Sequence, residues 1–108
     1  MTLAELRLAF ESEFDETGDP SFWYGEARKG TKLPYIVAND NGSDNFEADN
    51  IVFKPKQGVY LELYTVQKDE ALETRIETVL DNLEIPWSKS ETRDEDQNFF
   101  LNIYQFYR

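Results

Sequence analysis

The sequence predicts an α+β fold: a mostly antiparallel sheet with two helices packed on one face, in the order α-β-β-β-β-α-β-β. Three observations lead there. Short segments rich in β-branched and aromatic residues recur along the chain and alternate in polarity. Two other segments carry apolar residues at helical spacing. Polar, turn-forming stretches separate these segments, and no internal repeat or low-complexity linker interrupts them. At 108 residues the chain makes one domain, 1–108, large enough to bury roughly two-thirds of its surface.

Thr2 and Glu5 form a capping box that opens a first helix. Leu3, Leu6, Phe10 and Phe14 line one face of it. Glu11, Glu13, Asp15 and Glu16 crowd the far end, where the helix dipole disfavours anions, so the helix ends near Phe14, before Gly18-Asp19-Pro20. Residues 22–27 read as a strand. Residues 28–32 are a turn holding the densest basic cluster, and 33–38 a second strand with Pro34 at its start. The stretch 39–50 is polar and turn-rich and reads as a long loop. Residues 51–53 then restart the sheet, and 54–58 interrupt it as a bulge, kink or loop.

The chain is organised around residues 59–83. Val59, Leu61 and Leu63 point to one face of a strand, with Tyr60, Glu62 and Tyr64 on the other. Asp69 is placed as the N-cap of a second helix, with Glu70 and Glu73 near its positive end. Leu72, Ile76, Val79, Leu80 and Leu83 make its apolar stripe. Glu73, Glu77 and Asp81 repeat every four residues on the opposite side, so they must face water or a basic partner. Residues 85–91 read as a strand, 92–97 as a charged turn and 99–107 as the closing strand. Phe99, Leu101, Ile103 and Tyr107 lie on one side of that strand, with Phe100, Tyr104 and Phe106 on the other. Two apolar sides place it centrally, or against something outside the domain. The sheet face away from the helices is rich in Tyr, Phe and Glu, as a subunit interface would be.

Composition removes several chemistries. The chain has no cysteine and no histidine, which excludes disulfides, thiolate chemistry, histidine acid–base catalysis and the usual zinc sites. Its 22 acidic against 11 basic residues give a net charge of −11, the wrong sign for gripping a phosphate backbone. No apolar run spans a bilayer, and the acidic N-terminus is unlike a signal peptide, so a cytoplasmic protein without membrane contact is expected. Asp40, Asn41, Asp44 and Asp49 invite a calcium reading. An EF-hand register with Gly42 in sixth position would make Val37 the first ligand, and the reading fails. No pair of carboxylates stands out for hydrolysis and no Gly-rich loop for phosphate. Neither an enzyme nor a cofactor is expected. Arg28, Lys29 and Lys32 read as a solvated hairpin tip or as a contact for an acidic neighbour, and Trp23 and Trp87 as core or interface residues.

The run Leu33-Pro34-Tyr35-Ile36-Val37, then Asp40-Asn41-Gly42-Ser43-Asp44-Asn45-Phe46 and Ala48-Asp49-Asn50, resembles small proteins of the head–tail gene cluster of long-tailed phages and prophages of Gram-positive bacteria. The likeness continues through Tyr60-Leu61-Glu62-Leu63-Tyr64-Thr65, Lys68-Asp69, Glu73 and the aromatic ending. Such proteins are described as tail terminator, tail-completion or head–tail joining proteins. The resemblance implies a small domain that forms a six-membered ring, caps the tail tube, stops its polymerisation and receives the DNA-filled head. The implied partners are copies of itself, the major tail tube protein and a head-completion connector, with no sequence-specific nucleic acid. The implied location is the head-proximal end of the virion tail, and the host cytoplasm during assembly. Asp44, Asn45, Phe46 and Asp49 are then the expected contacts to tube or neighbour, and Arg28, Lys29 and Lys32 pair with an adjacent acidic surface. Two alternatives remain: a head-side connector, or an acidic DNA mimic that blocks a host nucleic-acid-binding protein.

Overall fold

Capping and apolar spacing produce the helices where the sequence places them. The computed structural model describes residues 1–14, 21–44, 47–48, 51–52 and 56–108. Helix α1 (Leu3–Phe14) opens with the Glu5 amide donating to Thr2 Oγ1 at 3.1 Å. Helix α2 (Glu70–Asn82) opens with the Leu72 amide donating to Asp69 Oδ1, also at 3.1 Å. It closes in a Schellman arrangement: Ile85 N–H donates to the Leu80 carbonyl and Glu84 N–H to that of Asp81, with Glu84 left-handed at φ 58°.

The strands are β1 (Ser21–Tyr24), β2 (Tyr35–Asp44), β3 (Glu47–Ala48), β4 (Ile51–Val52), β5 (Lys56–Thr65), β6 (Trp87–Asp94) and β7 (Phe99–Tyr107). Five of them form one sheet in the order β1-β2-β5-β7-β6, and β3 and β4 pair only with each other. Strand β7 thus lies between β5 and β6. On its helix side Asn102, Tyr104 and Phe106 are buried and Phe100 is half-buried; on the other side Phe99, Leu101 and Ile103 are half-buried and Tyr107 is exposed.

The expected order and sheet are corrected in three ways. First, the sheet is mixed: β1 runs parallel to β2, with Ser21 beside Tyr35 and Tyr24 beside Ala38. Alternation specifies a strand but not its direction. Residues 25–34 do not turn back as a hairpin but carry the chain to the other end of β1. Four strand residues span about 13 Å, and ten connecting residues reach about 33 Å. Second, the expected loop 39–50 starts as strand. Strand β2 continues to Asp44 against Lys56, with a bulge on β2: Asp40 pairs with Val59 and Ser43 with Gln57. Of the irregularity expected in 54–58, residues 54–55 lie outside the described residues and 56–58 are strand; the bulge falls on the opposite strand, where ladder pairing with β5 outweighs the turn propensity of Asn and Gly. Third, Ile51–Val52 does not rejoin the main sheet; it pairs with Glu47–Ala48, an additional strand. The element order is α-β-β-β-β-β-α-β-β.

One face of the sheet carries both helices. Leu6 and Phe10 of α1 and Leu72, Ile76, Val79 and Leu80 of α2 pack with Ile36, Ala38, Val59, Leu61, Leu63, Tyr104 and Phe106. Leu6, Phe10, Ile36, Leu61, Leu63, Ile76 and Leu80 are fully buried. Each such side chain contributes about 1.5–3 kcal/mol of transfer free energy.

Candidate assembly surface

The other face of the sheet is uncovered by any described element. Strand register and side-chain alternation place Trp23, Tyr35, Val37, Tyr60, Glu62, Tyr64, Phe99, Leu101 and Ile103 there. Val37 is buried between its neighbours, and the others are half-buried. An aromatic track crosses three strands: Tyr35 stacks on Tyr64 at 4.8 Å, and Phe99 meets Tyr64 edge-on at 5.1 Å. The Tyr64 hydroxyl donates to Glu62 Oε2 at 2.5 Å. Burial and this carboxylate raise the phenol's pKa, so it stays a donor. Ring-plane apolar area with a fixed polar rim suits a protein partner better than a small ligand.

The residues singled out from sequence fall into two groups. Arg28, Lys29 and Lys32 are exposed and sit in the 25–34 connection, so the hairpin tip expected for them is corrected to a crossover. Arg28 lies over the Trp23 ring at 5.9 Å, which ties this basic segment to the border of the open face. Asp44 closes β2 opposite Lys56. Asn45, Phe46 and Asp49 lie outside the described residues.

The acidic row of α2 has a basic partner within the chain. Lys68 Nζ donates to Glu73 Oε1 at 2.8 Å and to Glu91. Lys89 Nζ reaches Glu73 Oε1 at 3.0 Å and Glu77 Oε2 at 2.9 Å. The Tyr104 hydroxyl donates to Glu77 Oε2 at 2.7 Å, and Trp87 Nε1 to Asp81 Oδ1 at 2.9 Å. Glu73 is 2% exposed. Burial alone would raise its pKa, but the bonds from Lys68 and Lys89 outweigh burial and hold it below the usual carboxylate range. The same bonds raise Lys68, and they raise Lys89 against the opposing effect of its own burial. Sequence reasoning missed this network, although a signal was present. Three like charges on one helix face require compensation, and Lys89 lies on a strand two positions from Trp87 and Glu91, on their face.

Two concavities bear on catalysis. A groove at the Gly58, Trp87 and Tyr107 end of the sheet has no carboxylate in its lining, and Asp94, Glu95 and Asp96 border an open hollow at the β6–β7 turn. Among the described residues no cluster of His, Cys, Asp or Glu fits a metal ion. Among the same residues no helix is long and apolar enough to cross a membrane. No family model matches the chain, and a comparison with curated proteins found no match.

Proposed function

We propose that this chain is a structural subunit of a phage head–tail junction: a tail terminator that assembles with its own copies into a ring of six, caps the tail tube and ends its polymerisation. The observation that carries the reading is the uncovered aromatic face. A track of Tyr35, Tyr64 and Phe99 that no described element covers is stabilised when a neighbour or the tube buries it. The basic segment Arg28–Lys29–Lys32 borders that face through Trp23 and is available to an acidic neighbour. A ring of subunits each carrying −11 repels DNA in its hole, which favours passage over sticking. The resemblance over residues 33–50 and 60–73 points to the same role.

The DNA-mimic reading is weakened by the α2 row. Its carboxylates are engaged by Lys68, Lys89 and Trp87 and do not form a free acidic face. The test is electron microscopy of lysates from a phage lacking this gene, complemented by the wild type or by Tyr64→Lys. Overgrown, headless tails without the gene and with Tyr64→Lys, and normal particles with the wild type, support a terminator using this face. Normal-length tails beside DNA-filled tailless heads mean a head-side connector, and intact particles refute a virion role.

A further inference from the structure

Strand β6 is an edge of the sheet, and its sequence is self-complementary. It runs unbroken from Trp87 opposite Phe106 to Asp94 opposite Phe99, with no bulge, proline or glycine. Among the described residues nothing pairs with its outer side. Residues 88–93 are all exposed. Alternate residues therefore turn their N–H and C=O groups to solvent, a template for another strand.

We propose that two copies of this chain pair antiparallel through β6, about a two-fold axis at Ser90, joining two five-stranded sheets into one. A two-fold perpendicular to the sheet allows only registers centred on a residue, because opposite side chains must share a face. Centring on Ser90 sets Lys89 opposite Glu91 of the second copy, Ser88 opposite Thr92, and Trp87 opposite Arg93. Both charged pairs are then of opposite sign, and the indole meets a guanidinium. Seven of the eight residues of the strand take part.

The other registers are poorer. Centring on Lys89 sets two lysines face to face. Centring on Glu91 opposes two glutamates and also sets Lys89 against Arg93. Centring on Thr92 keeps opposite charges together but pairs only residues 90–94 before the turn. Edge charges usually discourage pairing. Here Lys89 and Glu91 are already neutralised by Glu73, Glu77 and Lys68, so the Ser90 register adds no like-charge contact. On the open face the paired residues of the strand are Ser88, Ser90 and Thr92, which are small and offer hydrogen bonds; Asp94, on the same face, lies beyond the paired stretch. The contact is independent of the phage reading: a ring closes head to tail through other surfaces, whereas this pairing is two-fold and concerns the free chain.

The chain has no cysteine, so introduced thiols report alone. Under mild oxidation Ser90→Cys should give a covalent dimer, since opposite Cβ atoms lie about 5 Å apart. Thr92→Cys should give none, its two copies being about 13 Å apart. Sedimentation of the wild type should show mass moving from 12.7 kDa to twice that with concentration. Ser90→Lys, which sets two charges opposite at an exposed position, should weaken the dimer roughly tenfold or more and leave circular dichroism and melting unchanged. A wild-type monomer throughout, a dimer or larger assembly indifferent to Ser90→Lys, or cross-linking at Thr92→Cys in place of Ser90→Cys overturns the proposal.

Discussion

Replacing Glu73 by Gln separates charge from shape at the most buried ion pair described. The amide is isosteric and still offers Oε1 to a lysine, but it carries no charge. Two charge-assisted hydrogen bonds end on Glu73 Oε1, each worth about 1.5–3 kcal/mol at full strength. That ceiling must be lowered. The Lys68 and Lys89 side chains are 36% and 25% exposed, and each keeps a second carboxylate, Glu91 or Glu77. Among the described residues Glu73 Oε2 has no partner, so the new NH₂ group replaces one unsatisfied buried atom by another. The expected loss is about 1–3 kcal/mol at pH 7, or roughly 4–8 °C of melting temperature for each kcal/mol.

The assay is urea unfolding of both chains followed by tryptophan fluorescence and circular dichroism, across pH. Because the folded-state pKa of Glu73 is lowered, its contribution is complete above the ordinary carboxylate value of about 4.3 and disappears as pH falls through the depressed one. Gln does not titrate, so the gap between the chains should close in acid. Lys68 and Lys89 have raised values, so their contribution is complete below about 10.4 and fades as pH rises through the raised values. A gap under about 0.5 kcal/mol at pH 7, or one that persists unchanged to the lowest pH at which both chains fold, would falsify the two-lysine account of Glu73.

Two further substitutions should stabilise the chain. Glu84→Gly relieves a left-handed residue at the end of α2 and should add about 0.5–1 kcal/mol, measured by thermal melting; a loss would mean the Glu84 side chain has a role the Schellman geometry does not give it. Asn102 is fully buried, with both amide atoms unpaired among the described residues, so Asn102→Leu should add about 1–2 kcal/mol in urea, and a clear loss would show that the amide is satisfied in solution.

Local chemistry made much of this chain legible. The capping groups Thr2 and Asp69 act where they stand, because a cap needs only residues within one helical turn. The apolar stripe of α2 and the extent of β7 follow from periodicity, which is set by backbone geometry alone. Composition likewise removed thiol and imidazole chemistry before any fold was known. Tertiary structure decided the rest. The direction of β1 depends on the path of ten residues that have no period. The extension of β2 through Asn39 to Asp44 depends on ladder bonds to β5, a strand far along the chain, which override local turn preference. Whether Glu73, Glu77 and Asp81 faced water could not be read from α2, since Trp87 and Lys89 reach them only after β6 has paired with β7. Helix stripes, caps and strand alternation are short-range and printed in the sequence; strand direction, register and charge partners are set by which distant segments meet, and only the assembled sheet fixes those.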